Sequence, residues 1–300
     1  MVILDRDKPR LGIGLAILAT LLFACLNSMT KHVSAIYPVI MILWFRYLLF
    51  SCYGISAGLQ AEGRRIFHSN APILQIIRAL LLVGEVGVYI VAFRHLPLAE
   101  ISAISAVGPI VTMVMSAVIL RETVSTKQWV AAIFGFIGVV VIVKPGFASF
   151  DPLFLIPMFG TLVWGLYQVL TRLANRRDSS QTTTFFTGFV GFVVICFIVP
   201  FYWQPVDLIW STKLLILAFF GVAGHTVLIK ALNIAPASLL QPFSYFGMVW
   251  AVLFGWSFFN EIPQATTILG AIIVVTSGIY IFKSEKPNGK GLDRLKGPKV

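Results

Sequence analysis

Ten apolar runs, each of about the twenty residues that a helix needs to cross the hydrocarbon core of a bilayer, divide this 300-residue chain. They fall at about Leu11–Thr30, Pro38–Leu59, Pro72–Phe93, Leu98–Leu120, Lys127–Val143, Pro152–Thr171, Thr182–Tyr202, Thr212–Leu232, Ala237–Phe259 and Gln264–Phe282. A barrel strand needs only about 9–11 residues and alternates strictly, which these runs do not. The fold class is therefore an all-α integral membrane protein of ten transmembrane helices. Composition agrees: 58% of residues are apolar and 12% charged, with a mean hydropathy of +0.90, against roughly 45–50% and about 25% in soluble domains. The first run is too long for a secretory signal core and reads as a retained span.

The net charge of +11 raises the question of a nucleic-acid surface, and the placement of the basic residues answers it. With a cytoplasmic N-terminus, seventeen lie inside: Arg6, Lys8, Arg10, Arg64, Arg65, Arg121, Lys127, Arg172, Arg176, Arg177, Lys230, Lys283, Lys286, Lys290, Arg294, Lys296 and Lys299. Lys31, Arg94, Lys144 and Lys213 lie outside. Cytoplasmic loops carry such an excess, so both termini are expected in the cytoplasm. Arg46 and Arg78 fall within spans.

The chain also repeats itself. Leu18–Lys31, LATLLFACLNSMTK, lies over Phe159–Arg172, FGTLVWGLYQVLTR, matching Thr20 with Thr161, Asn27 with Gln168 and Lys31 with Arg172. Further on, Pro97 meets Pro236, Ser105 meets Ser244, Gly108 meets Gly247, Glu122 meets Glu261 and Lys144 meets Lys283. Five spans per copy is an odd number, so the second copy enters the membrane from the opposite side. The expected organisation is a tail over 1–10, a five-helix unit over 11–145, its inverted copy over 146–283 and a basic cytoplasmic tail over 284–300. Inverted repeats of this kind underlie alternating access in many secondary transporters.

Charges inside spans cost about 2.5–3.5 kcal/mol each on insertion scales and mark functional sites. Glu85 is the acid near the middle of a span, with Arg78 two turns before it and Tyr89 one turn after, on one helix face. The second copy has Gly224 at the position of Glu85, followed by His225. A carboxylate and an imidazole at one depth suit a zwitterionic solute or a proton relay. The structural alternatives are that Glu85 neutralises Arg78 and that His225 bonds a neighbouring helix. Arg46 reads chiefly as a structural charge.

Gly108 and Pro109 fall near the middle of run four and Gly247 at the matching place in run nine, where backbone bending is easiest. Ser102 and Ser105 share a face of run four, while Gln241, Ser244, Tyr245 and Met248 follow helical spacing in run nine. Asn27 with Phe23, and Gln168 with Trp164 and Tyr167, suggest an aromatic cavity carrying a few amides. The expected substrate-binding set is thus Asn27, Arg78, Glu85, Tyr89, Ser105, Trp164, Gln168, His225, Gln241 and Tyr245, with hinges at Gly108, Pro109 and Gly247.

YPVIMILWFR in run two, Arg121-Glu122-Thr123 matched by NEIP at Asn260–Pro263, and GFIGVVVIVKP at Gly135–Pro145 resemble the EamA-type branch of the drug/metabolite transporter superfamily. The resemblance covers Leu11 to Phe282. It implies a central cavity among helices one, three, four, six, eight and nine, with five and ten behind. It also implies transport of metabolites: amino acids exported, or solutes such as S-adenosylmethionine imported. Thr187 stands opposite Arg46, so that arginine is not duplicated.

The reading is a non-enzymatic secondary transporter in a bacterial cytoplasmic membrane, most consistent with export of amino acids or related metabolites. No Walker A motif is present, so nucleotide hydrolysis by this chain does not drive it. An intramembrane enzyme would want paired acids, and DxxD and HxxxxD spacings do not occur. Cys25, Cys52 and Cys196 form no CxxC motif. No cofactor, metal or nucleic acid is expected. The expected partners are a small-molecule solute and the lipid bilayer, with a homodimer as an open assembly.

Overall fold

A computed structural model describes residues 8–34, 36–96, 101, 104–143, 152–259 and 265–284. Among these, eleven α-helices and three short 3-10 turns form the fold, with no strand. The helices are α1 (Pro9–Ser34), α2 (Val39–Glu62), α3 (Pro72–His95), α4 (Gly108–Ile119), α5 (Thr126–Val143), α6 (Leu155–Asn175), α7 (Ser180–Ile198), α8 (Leu208–Ile234), α9 (Ala237–Ser244), α10 (Phe246–Phe259) and α11 (Ala265–Ser284). Seven helical segments are long and apolar enough to cross a membrane, and three shorter apolar helices correspond to the fourth, fifth and tenth runs. The chain is thus a multi-pass, all-helical membrane protein.

Local chemistry sets the ends. Ser179 caps α7 by accepting from the Thr182 amide at 3.0 Å, and Asp207 caps α8 by accepting from the Trp210 amide at 2.8 Å. Each cap satisfies a backbone donor that the first helical turn cannot. Prolines at 38 and 236 immediately precede α2 and α9.

Helices distant in sequence pair most extensively: α1 with α8, α2 with α7, α3 with α6, and α5 with α11, while α4 packs on α6 and α9. α8 is the most enclosed of the long helices. The α2–α7 seam is closest. A Cβ added at Gly188 would come within 2.6 Å of the Phe50 carbonyl carbon, and one at Gly54 within 2.9 Å of the Phe185 Cα, so only glycine lets these backbones touch. The main core lies across this seam, with Met41, Ile42, Tyr47, Phe50, Tyr167 and Leu217 buried in one cluster.

Two expected continuous helices are broken. Run four turns at Ala106–Val107 before α4 begins at Gly108, and run nine turns at Tyr245 between α9 and α10. Pro109 opens α4 because its missing amide is harmless in a first turn. Tyr245 and Ala106 occupy matching places in the repeat, so the interruption occurs in both halves. The seventh run also ends its α-helix early, passing into a 3-10 turn at Val199–Tyr202 where Pro200 removes a donor. Ser102, Pro97, Lys144 and the Asn260–Pro263 motif lie outside the described residues, as do both expected tails apart from residues 8–10 and 284.

Candidate functional site

α2 carries Arg46 against α8, where Gly221 makes room: a Cβ there would meet Arg46 Nε at 3.2 Å. Arg46, Tyr47, Phe50, Leu82, Gly221, Val222 and His225 line a small hollow of about 10 Å³, room for about one water molecule. Glu85 stands one turn beyond Leu82 on α3 and is 9% exposed. Its charge lies within electrostatic reach of Arg46, Tyr47, Tyr89 and Tyr167. No hydrogen bond or ion pair within 4.0 Å joins Glu85 to Arg46.

His225 sits in a box of rings. Phe23 is 5.0 Å away edge-on, Phe50 stacks at 6.0 Å, and Trp164 and Tyr167 stand edge-on at 6.0 and 6.2 Å between centroids. Such separations are those of favourable aromatic contacts. Its Nδ1 is buried and makes no hydrogen bond, so the expected bond to a neighbouring helix is not formed through that atom. Buried polar atoms are nearly always satisfied, and His225 Nδ1 shares its unpaired state with Tyr47 Oη, Tyr167 Oη and Arg78 Nη1 among the described residues.

Arg78 belongs elsewhere. It is fully buried, donates through Nε to Gln75 Oε1 at 2.6 Å, and donates through a terminal nitrogen to the Thr183 carbonyl. Gln75 in turn donates to Asp178 at 2.8 Å and Thr183 Oγ1 at 3.2 Å, and Asp178 accepts from the Asn70 amide at 2.7 Å and from Ser69. This network fastens α3 to the start of α7. Glu85 therefore does not neutralise Arg78 by direct contact, because the tertiary partners of the arginine lie on α7 rather than along its own helix.

The remaining expected residues form two further groups. Tyr89 Oη meets Ser105 Oγ at 2.8 Å and Thr161 Oγ1 at 2.9 Å, tying α3, the segment before α4, and α6 together. Gln241 Nε2 donates to Gln168 Oε1 at 3.3 Å and to the Ala237 carbonyl at 3.0 Å, while Gln241 Oε1 is buried without a partner. Trp164 links these groups to His225. Tyr245 does not join Gln241: the interruption at 245 ends the shared helical face, and the Tyr245 ring lies over Gly135 of α5. Asn27 is exposed, unlike its repeat partner Gln168. Gly108 lies near Thr161 and Gly247 near Thr20, at the two interruptions.

Sequence reasoning missed a third ionic cluster. Arg121 takes a left-handed backbone conformation, with φ of 53°, that turns the chain back after α4. Glu122 then accepts from Ser116 at 2.5 Å and from the Ser238 amide and hydroxyl at 3.3 and 3.2 Å. It pairs with Arg172 at 3.4 Å and Arg176 at 3.5 Å. Arg172 also donates to the carbonyls of Leu232 and Asn233, both at 3.0 Å. One carboxylate thereby joins the ends of α4, α6, α8 and α9. The signal was present, since Glu122 marks the repeat and Arg172 the charge bias, but nothing in spacing connects them.

No group of three or more His, Cys, Asp or Glu side chains that could hold a metal ion occurs among the described residues. The family model of the EamA-like transporter family matches residues 10–144 and again 153–283. The chain is 24% identical to an S-adenosylmethionine uptake transporter of Rickettsia bellii, over 92% of this chain and 94% of that one. It is also 24% identical to a pseudopaline exporter of Pseudomonas aeruginosa, over 93% and 99%. A solved crystal structure superposes with a TM-score of 0.75 at 19% identity, covering 92% of this chain and 96% of its own, which establishes a shared fold.

Proposed function

The chain belongs to the EamA-like transporter family, and from that premise we propose that it is a secondary transporter that moves small amphipathic organic solutes across a bacterial cytoplasmic membrane. Amino acids or related metabolites are the solutes, and export is the direction first expected. The observation that carries the reading is the hollow between α2 and α8. Its lining includes a cation, Arg46, and a ring-lined imidazole whose Nδ1 has no partner, with an acid, Glu85, one turn beyond Leu82 on α3. A few fixed polar groups in an otherwise apolar, aromatic enclosure recognise organic solutes with both kinds of surface.

Alternating access is supported by the way the helices pair. If the second unit is an inverted copy of the first, exchanging the units turns the α1–α8 pair into the α6–α3 pair and returns α2–α7 and α5–α11 to themselves. All four are among the most extensive pairings. The interruptions before α4 and between α9 and α10 supply bending points at matched positions, around Gly108, Pro109 and Gly247. Tyr89, Ser105, Trp164, Gln168 and Gln241 line the route, and Arg46 joins Glu85 and His225 as a solute contact.

Uptake is a second reading, favoured by the similarity to an uptake transporter for S-adenosylmethionine, itself an amino-acid derivative. One experiment treats both. The purified chain in liposomes is assayed for counterflow of radiolabelled amino acids, S-adenosylmethionine, nucleosides and riboflavin, with each solute recovered and checked for chemical change. Saturable counterflow of unmodified solute is expected. Linear, unsaturable flux indicates a channel, and modified solute an enzyme; either result ends this reading.

A further inference from the structure

We propose that the end of α1 and the start of α8 form a docking site for the phosphate of an anionic phospholipid, held by Lys213 and His32 over the Trp210 indole, with the acyl chains along the exposed face of α8. Such a site requires only that the chain spans a membrane, whatever solute it moves.

Two helices meet at one ring. Lys213 Nζ lies 4.1 Å from the centroid of the Trp210 ring, and the His32 ring, from α1, stacks on the same indole at 5.6 Å with 25° between the planes. Lys213 Nζ and His32 Nε2 are 3.4 Å apart although 181 positions separate the two residues. The platform beneath them is fixed. Trp210 is half-buried against the main core, meets Tyr37 edge-on at 5.8 Å, and has its amide held by the Asp207 cap.

The charge of this pair has no local answer. Lys213 donates to His32 with one of its three N–H bonds, which leaves His32 its proton on Nδ1, so both side chains keep further donors. Neither forms an ion pair among the described residues. The acid nearest to Lys213 in sequence, Asp207, is engaged at the Trp210 amide, and the hydroxyls of Ser211 and Thr212 donate to the carbonyls of Asp207 and Leu208. Two basic groups over one indole thus offer charge-assisted hydrogen bonds to an anion.

Depth and surroundings favour a lipid over a soluble phosphate. Tyr202 and Trp203 are exposed where the chain enters the short connection to α8, and with Trp210 they make the kind of aromatic girdle that marks the headgroup level. From Lys213 toward the middle of α8 the exposed face is apolar: Ile216 is 44% exposed and Phe219 58%. Phe219 lies six residues beyond Lys213, about 9 Å along the helix. A phosphate at Lys213 therefore lays its acyl chains on these side chains, and basic pockets between transmembrane helices are places where anionic headgroups bind.

The test is native mass spectrometry of the full chain, released from detergent after incubation with equal amounts of phosphatidylglycerol and phosphatidylcholine of the same acyl chains. Phosphatidylglycerol should be retained roughly five- to tenfold better, the scale of one or two basic contacts to an anionic headgroup. Lys213→Gln should abolish that preference, His32→Gln should reduce it, and Lys213→Arg should keep it. Lys230→Gln removes the same charge from the other end of α8 and should leave the preference as it is. Excess glycerol phosphate should not displace the lipid. Equal retention of the two lipids overturns the assignment, as does a preference that survives Lys213→Gln. A loss as large in Lys230→Gln reduces the effect to general attraction and overturns it too. Full displacement by glycerol phosphate indicates a site for soluble phosphate and removes the lipid.

Discussion

The two halves of the molecule share a scaffold and differ in charge. α2 and α7 lie in matching places and meet backbone to backbone, yet α2 carries Arg46 where α7 carries Thr187. α3 and α8 match as well, yet Glu85 is answered by Gly224, against which the Phe23 ring packs. The interruptions at Ala106–Val107 and Tyr245 are kept in both halves. What is matched is helix placement and the interruption of the fourth and ninth runs; what is not matched is the charge of Arg46 and of Glu85. On the proposed function, the matched helices are the moving frame and the unmatched charges are the recognition elements.

That contrast can be broken, and the strongest attempt is Glu85→Gln. It should lower counterflow by at least about tenfold at unchanged membrane abundance, since a charge-assisted interaction contributes about 1.5–3 kcal/mol; near-normal flux would remove Glu85 from recognition. Glu122→Gln comes next and concerns the frame. Weakening a carboxylate shared by Arg172, Arg176 and Ser238 should cost about 1–3 kcal/mol, read as a lower melting temperature in detergent and faster amide exchange at Ser238, whose amide donates to Glu122. Gly108→Ala and Gly247→Ala sharpen the idea of matched bending points. Each should cut maximal flux by roughly two- to fivefold, in keeping with about 0.5–1 kcal/mol for such backbone changes, with half-saturation unchanged. The alanine methyl at 108 would sit 3.2 Å from Thr161 Cγ2 while that at 247 stays 4.0 Å from Thr20. Gly108→Ala alone should therefore disturb the Tyr89–Thr161 contact. The smallest effect is expected at Asn27→Ala, less than about twofold in flux, because an exposed polar side chain contributes within about 0.5 kcal/mol. A large loss there would show that the two amides of the repeat act as a pair after all.

The apolar runs gave most of the helices because burial in lipid imposes length and composition, both readable one residue at a time. Pairing between distant helices is not readable that way. Arg78 and Glu85 share a helix face, so the sequence groups them, whereas the structure sends Arg78 to Thr183, 105 positions away. Arg46 looked structural among Trp44, Phe45 and Tyr47, since the small residue that admits its guanidinium, Gly221, sits far along the chain. His225 was found from its depth, but its company of Phe23, Phe50, Trp164 and Tyr167 comes from three other helices. Tyr245 was grouped with Gln241 by a periodicity that holds only while a helix continues.

The glycine seam between α2 and α7 carries a mechanical consequence. Where two backbones touch without side chains between them, no soft layer can shear, and sliding would drive carbonyls into α-carbons. Such a contact behaves as a bearing: it tolerates a small roll about its own line and resists translation along it. Because Gly54 and Gly188 lie between the two repeats, the rocking that the proposed alternating access requires would turn about this line. In that proposed motion Arg46, only four residues from Phe50 on the same helix, would stay near the axis while the far ends of the bundle travel.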